Sequence, residues 1–126
     1  MRSDYLPIFE LAEAEFSEII VSFKDLEHKI RFYLIDNSYI DVCLGGPRFS
    51  GRFSFHWERG HIDGRIYRYD NFPNTKWKKL ESFPFHFHNG SQNRVIEAKF
   101  SKRPLNGFRD FMEWIRGFVA RQKNKK

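Results

Sequence analysis

The stretch RFSFHWE, residues 52–58, decides the fold class because its residues alternate strictly between apolar and polar. Phe53, Phe55 and Trp57 point to one side of an extended chain, and the residues between them are polar or charged. This alternation is typical of an antiparallel sheet with one covered face and one open face. The segment FPFHFH, residues 83–88, repeats the pattern with histidines on its polar side, which predicts a second strand of the same sheet.

Shorter runs on both sides of these segments predict further strands. They are residues 19–23, 29–35, 39–44, 65–69, 77–80 and 94–100. The first is rich in β-branched residues, and we expect it to be buried. Asp63-Gly64 predicts a two-residue hairpin turn, which would place Trp57 opposite Asp70 and His56 opposite Asn71.

Two segments with helical spacing of apolar residues flank the strands. One runs from Pro7 to about Ser17, and the other from Pro104 to about Arg121. The order helix, many strands, helix predicts an α+β fold. We expect a twisted, mainly antiparallel β-sheet with the N-terminal and the C-terminal α-helix packed on one face, and an open, basic opposite face.

The chain has 126 residues, which fits a single domain, predicted at 1–120, followed by a basic tail at 121–126. It has one cysteine, so an internal disulfide or a cysteine-based zinc site is excluded. No apolar run reaches the length of a membrane span, and no apolar signal core follows Met1. We therefore expect a cytoplasmic protein that does not contact membranes.

The net charge of +6 is concentrated in the middle of the chain. Between Arg48 and Arg103, twelve basic residues face five acidic ones and alternate with aromatic residues. Cations neutralise phosphates and aromatic rings stack on unpaired bases, so this composition favours binding of a nucleic acid. For the tail, a solvated charged terminus is the more economical interpretation.

His86 and His88 are the candidates for chemistry, because they share one strand face and lie about 7 Å apart by the rise of a strand. We expect them to face solvent or a groove. Two chemistries fit: metal-free RNA cleavage by a histidine acid–base pair, or a metal site with Asp70 or Glu58 as third ligand. Alternatively, the histidines only fill a polar strand face.

RIYRYDN at 65–71 followed by FPFHFH at 83–88 resembles the TumE-like toxins of prokaryotic type II toxin–antitoxin systems. Those proteins have a Tyr/Trp-x-Asp-Asn segment followed by Pro-His-His-x-His. Asp70, Asn71, His86 and His88 match the pattern. Phe85 stands where the family has its first histidine, and Pro73-Asn74-Thr75 replaces a Pro-His-His that often follows Asp-Asn. If the missing histidines are needed, the chain is a weakened or diverged member of the family, and if the last two suffice, activity survives.

The resemblance implies a growth-inhibiting toxin, neutralised by a small antitoxin encoded beside it and acting as an endoribonuclease. His86 and His88 would be the acid–base pair, with Asp70 orienting one of them. The residues predicted to bind substrate are Asn71, Arg68, Arg65, Arg52 and His56. RNA and the cognate antitoxin are the predicted partners, no cofactor or metal is predicted, and a homodimer is left open.

Three other functions remain open at this stage. The first is a non-catalytic module that binds single-stranded nucleic acid on the basic, aromatic sheet face. The second is a metal-dependent phosphodiesterase that uses the same histidines. The third is an interaction protein whose open sheet face docks a partner chain.

Overall fold

The computed structural model describes residues 1–124 and is built around a seven-stranded sheet whose strands follow one another in chain order. Every neighbouring pair is antiparallel, and the two outer strands do not pair with each other, so the sheet stays open. The strands are β1 (Ile20–Asp25), β2 (Ile30–Leu34), β3 (Tyr39–Leu44), β4 (Phe53–Arg59), β5 (Arg65–Asp70), β6 (His86–Gly90) and β7 (Val95–Glu97). Antiparallel neighbours need only short connections, and consecutive hairpins explain this order. The predicted α+β class is confirmed.

Two long helices cover one face of the sheet, as the sequence predicts. They are α1 (Leu6–Phe16) and α3 (Pro104–Asn124); a single helical turn, α2 (Gly60–Asp63), joins β4 to β5. Both long helices carry proline in their first turn, where the missing N–H costs no hydrogen bond. No helix within residues 1–124 combines the length and apolar composition that a membrane crossing requires.

The C-terminal helix runs three residues past its predicted end at Arg121. The predicted basic tail therefore begins within α3, and its last two residues, Lys125 and Lys126, lie outside the described part of the chain. The division into a domain at 1–120 and a tail at 121–126 stays a prediction.

The core between the sheet and the helices is a layer of aromatic rings. Phe55 and Trp57 of β4 are fully buried, and the ring centroids of Phe55 and Phe108 of α3 are 5.5 Å apart. Trp57 packs edge-on against Phe118 at 5.1 Å, and its indole N–H donates to the Ser38 hydroxyl at 2.8 Å. Rings of this size bury large apolar areas, which gives a small protein a cohesive core and a rigid sheet.

The prediction of a buried first strand is wrong. β1 is the outer strand of the sheet and pairs only with β2. Most of its residues are exposed, including Val21 at 66%. Its β-branched residues supply strand propensity, but beyond Ile20 the strand lies at the margin of the helix layer, where Phe23 packs edge-on against Phe9 of α1 at 4.6 Å and is still 46% exposed.

The predicted turn between β4 and β5 is also wrong, and the register changes with it. The connection is the helical turn α2 followed by Gly64, whose positive φ of 74° suits glycine. Trp57 therefore pairs with Tyr67, and His56 pairs with Arg68. This register places Asp70 opposite Ser54.

The segment between β5 and β6 contains no strand, although the sequence predicts one at 77–80. It holds a 3-10 turn at Thr75–Trp77 and further turns up to Pro84. The next strand begins at His86 and not at Phe83, because Pro84 has no N–H to donate to a sheet ladder. The following strand is also shorter than the predicted 94–100, since only Val95–Glu97 is paired.

The face of the sheet opposite the helices carries paired charges and not the uniformly basic surface that the sequence suggests. On β2 and β3, Arg31 makes two hydrogen bonds to Asp41, and Lys29 donates to the same carboxylate at 2.9 Å. Burial alone would raise the pKa of Asp41, but these hydrogen bonds and charges outweigh it and lower the pKa. On β5 and β6, a second buried carboxylate, that of Asp70, is likewise surrounded by basic side chains, which include the two histidines.

Candidate functional site

The pairing of β5 with β6 brings together the residues that the sequence selected for chemistry. Asp70 lies opposite His86, and Arg68 lies opposite His88. Alternation along both strands turns these four side chains away from the helices, while Tyr67, Tyr69 and Phe87 enter the core. A cluster of one carboxylate, two imidazoles and one guanidinium is the result.

Short distances join the four groups. His86 Nε2 lies 3.0 Å from one oxygen of Asp70, and His88 Nε2 lies 3.7 Å from the other. Arg68 Nε is 3.2 Å from the same Asp70 oxygen but is not aligned as a hydrogen-bond donor. Its Nη2 lies 3.3 Å from His88 Nε2 and also donates to the side chain of Gln92.

The histidines are buried, contrary to the expectation that they face open solvent. Their exposed fractions are 3% for His86 and 4% for His88. They line a cavity of about 210 Å³, so part of the expectation, a groove, holds. The other residues that line the cavity are Ser54, Arg68, Asp70, Phe72, Asn74 and Trp77.

The hydrogen bonds of the Nδ1 atoms define which nitrogen of each histidine faces the cluster. His86 Nδ1 lies 3.0 Å from the carbonyl oxygen of Pro84, and His88 Nδ1 lies 3.0 Å from that of Gln92. A carbonyl only accepts, so both Nδ1 atoms carry a proton. A neutral ring then has its lone pair on Nε2, the atom that faces Asp70.

This arrangement favours a second proton on His86. Its Nε2 faces a carboxylate oxygen, and two acceptors at 3.0 Å need a proton between them. Burial alone would lower the pKa of His86, but the hydrogen bond and charge of Asp70 outweigh it and raise the pKa above 6.5. His86 is therefore the more readily protonated of the two rings.

The surroundings of His88 favour its neutral form instead. Burial lowers its pKa below 6.5, and the positive charge of Arg68 lowers it further. The guanidinium Nη2 can donate only to an unprotonated Nε2, so the Arg68 contact also requires a neutral ring. The cluster thus pushes apart the pKa values of two neighbouring histidines, which is characteristic of an acid–base pair.

Two of the nominated substrate-binding residues, Asn71 and His56, have their polar groups engaged elsewhere. The Asn71 amide accepts from the backbone N–H of Phe53 and donates to the carbonyl of Gly51, each at 2.8 Å. His56 lies beside Arg68 in the register, but its Nε2 pairs with Glu58 at 3.1 Å. Glu58 is consequently not the third ligand of a site that contains His86 and His88.

Two nominated arginines lie outside the cluster. The Arg52 guanidinium is 5.0 Å from the ring centre of Phe49 and 5.9 Å from that of Phe72, and Arg52 lines a different cavity. Arg65 belongs to the strand face of Tyr67 and lines a separate depression. The roles that the sequence assigns to these residues in substrate binding stay predictions, and Arg68 is the arginine placed beside the histidines.

The same cluster offers ligands for a metal ion. One ligand atom from each of Asp70, His86 and His88 can be chosen so that all lie within 4.8 Å of one another. Histidines that donate Nδ1–H to a carbonyl and keep Nε2 free are common at such centres. Here, however, the Arg68 guanidinium is in contact with His88 Nε2, and a cation would have to displace it.

Trp77 is the site residue that the sequence analysis missed. The sequence predicts a strand at this position. In the structure, the centroid of the Trp77 ring lies 6.4 Å from that of His88 and 6.5 Å from that of His86. The surrounding sequence, Lys76-Trp77-Lys78-Lys79, is a usable signal, because an aromatic ring flanked by cations is the combination that binds single-stranded nucleic acid.

Comparison with known proteins agrees with this arrangement of motifs. The family model described as Toxin TumE matches residues 8–119, which include every strand and both long helices except the ends of the latter. No curated protein and no solved structure matches the chain.

Proposed function

This chain belongs to the TumE toxin family, and we propose that it inhibits growth by cutting RNA through metal-free acid–base catalysis at Asp70, His86 and His88. Membership of a toxin family implies an antitoxin as its protein partner. The observation that carries the catalytic proposal is the convergence of the Nε2 atoms of two histidines on one carboxylate, at 3.0 and 3.7 Å. The surroundings shift the pKa values of the two rings in opposite directions, which supports the division into an acid and a base.

The reaction is an attack by the RNA on its own backbone. The ribose 2′-hydroxyl replaces Arg68 Nη2 as the hydrogen-bond partner of His88 Nε2. Neutral His88 then takes the hydroxyl proton at Nε2, and the 2′-oxygen forms a bond to the adjacent phosphorus. Protonated His86 gives its Nε2 proton to the 5′-oxygen as the phosphorus–oxygen bond breaks. The products are a 2′,3′-cyclic phosphate and a 5′-hydroxyl end, and both histidines have then exchanged their protonation states.

Arg68 and Asp70 support the two proton transfers. Within residues 1–124 the Arg68 guanidinium makes hydrogen bonds only through Nη2, and its Nε is buried beside Asp70. Nη1 is therefore the donor that remains available to a phosphate that becomes more negative in the transition state. Asp70 holds the proton on His86 and is a positioning residue, because it acts through that ring.

The test is incubation of the purified protein with total RNA, with and without a chelator. The His86→Ala/His88→Ala variant is run beside it, and His28→Ala, an exposed histidine at the far end of the sheet, is the matched control. We expect cleavage by the wild type and by His28→Ala that resists the chelator, and none by the double variant. The new ends should carry 2′,3′-cyclic phosphates.

A metal-dependent phosphodiesterase is the second candidate, supported by the convergence of three ligand atoms within 4.8 Å. It predicts that the chelator abolishes cleavage and that products end in a free phosphate or hydroxyl without a cyclic intermediate. Intact RNA in every lane, with RNA retained by the wild type, would instead favour a non-catalytic binding module.

A further inference from the structure

The 72–80 loop, residues Phe72 to Leu80, forms the larger part of the connection from β5 to β6 and borders the histidine cavity. Trp77 is half-buried, lies outside the aromatic core and contacts His86 and His88 instead. Its indole therefore forms one wall of the cavity in which the scissile phosphate would lie. Phe72 at the rim is 41% exposed.

The loop is also a concentration of unpaired positive charge. Lys76, Lys78 and Lys79 are exposed, and within residues 1–124 none of them has a carboxylate oxygen within the 4.0 Å of an ion pair. The Lys76 ammonium lies 4.9 Å from the centre of the Trp77 ring. Other basic residues of this face, such as Arg31, are paired with acids, so the loop differs from its surroundings.

We propose that Trp77 stacks on the base of the nucleotide next to the scissile phosphate and that the three lysines bind the flanking phosphates. The inference rests on the proposed function for its substrate, RNA. The occupant is an unpaired nucleotide, because a base within a duplex has its ring faces covered by its neighbours. An indole with adjacent lysines matches both chemical parts of a single strand, the base and the phosphate.

The experiment measures binding of short, fluorescein-labelled single-stranded oligonucleotides with 2′-deoxy sugars, which cannot be cut through a 2′-oxygen. Trp77→Ala should weaken binding by about 5- to 150-fold, the range that one base–aromatic stack contributes. Trp77→Phe keeps a ring and should lose less. Phe23→Ala removes an exposed ring from β1, outside the histidine cavity, and should bind as the wild type does.

Abasic oligonucleotides separate stacking from a merely structural role of Trp77. Removing the stacked base should weaken binding to the wild type but not further weaken binding to Trp77→Ala, so the two losses are not additive. In addition, the base should quench tryptophan fluorescence in the wild type and not in Trp77→Phe.

The inference is overturned if the wild type does not bind these oligonucleotides, if Trp77→Ala binds as the wild type does, or if the abasic and Trp77→Ala losses simply add at every position. RNA cleavage with normal binding by Trp77→Ala would remove the stacking role and leave the proposed function intact. Trp77-dependent binding without cleavage of any RNA would support the subsite and contradict the catalysis.

Discussion

At the scale of single residues, the opposed protonation of the histidines predicts a bell-shaped dependence of kcat/KM on pH. The base His88 must be neutral, so activity falls as pH drops through its pKa, which lies below 6.5. The acid His86 must be protonated, so activity falls as pH rises through its pKa, which lies above 6.5. The maximum should therefore include pH 6.5. A rate that increases steadily from acid to alkaline pH would contradict this assignment.

Asp70→Asn tests the origin of the alkaline limb. The amide removes the negative charge that raises the pKa of His86 and leaves the burial that lowers it. We expect the alkaline limb to move to lower pH and the maximal rate to fall by about 10²- to 10⁴-fold, the usual worth of a general acid. His86 ring signals titrated by NMR give the pKa independently of activity. An unchanged His86 pKa would exclude Asp70 as the positioning residue.

At the scale of elements, the carboxylate of Glu97 on β7 anchors the chain directly after the 72–80 loop. Glu97 accepts from the backbone N–H groups of Glu81 and Ser82 at 2.9 and 2.8 Å. The Ser82 hydroxyl donates to the carbonyl of Phe85 and accepts from the N–H of Ala98. These bonds fix the chain just before His86 enters the sheet.

Removal of this anchor by Glu97→Ala should make the backbone at Glu81 and Ser82 more mobile without unfolding the protein. Two backbone N–H groups lose their acceptor, so hydrogen exchange at Ser82 should accelerate by about tenfold or more, while core amides of β4 stay protected. Glu81→Ala, which removes a neighbouring exposed carboxylate, is the matched control. Equal exchange in the two variants would show that the Glu97 contacts do not hold the segment.

The same elements explain how far the sequence predicts the site. Alternation at 83–88 correctly places His86 and His88 on the face opposite Phe87, because the two-residue period of a strand needs no knowledge of its partners. Their proximity to Asp70 depends on the pairing of β5 with β6, and the turn chosen at Asp63-Gly64 gave the wrong register for β4. Burial of the histidines follows from a loop whose path depends on Trp77 and Glu97, which strand periodicity does not encode.

At the scale of the whole molecule, the two faces of the sheet differ in composition and in what they contact. The helix-covered face supplies an aromatic core that includes Phe55 and Trp57 and holds the strands rigid. The open face carries charges, mostly matched in pairs, with the unmatched lysines of the 72–80 loop at the edge of the histidine cavity. For attracting a polyanion, the net charge of +6 therefore matters less than the location of the unpaired cations, since the two charges of an ion pair largely cancel each other's field.

The salt dependence of binding to single strands should locate the phosphate-binding surface. Each phosphate neutralised on a single strand contributes a slope of about −0.7 to log K against log salt concentration. The triple variant Lys76→Ala/Lys78→Ala/Lys79→Ala should therefore flatten that slope by about 2. A variant that removes the same charge elsewhere, Lys24→Ala/Arg121→Ala/Lys123→Ala, should leave it nearly unchanged. If the second variant flattens the slope instead, the phosphates lie along β1 or the end of α3 and not beside the histidines, and if both flatten it equally, binding follows net charge alone.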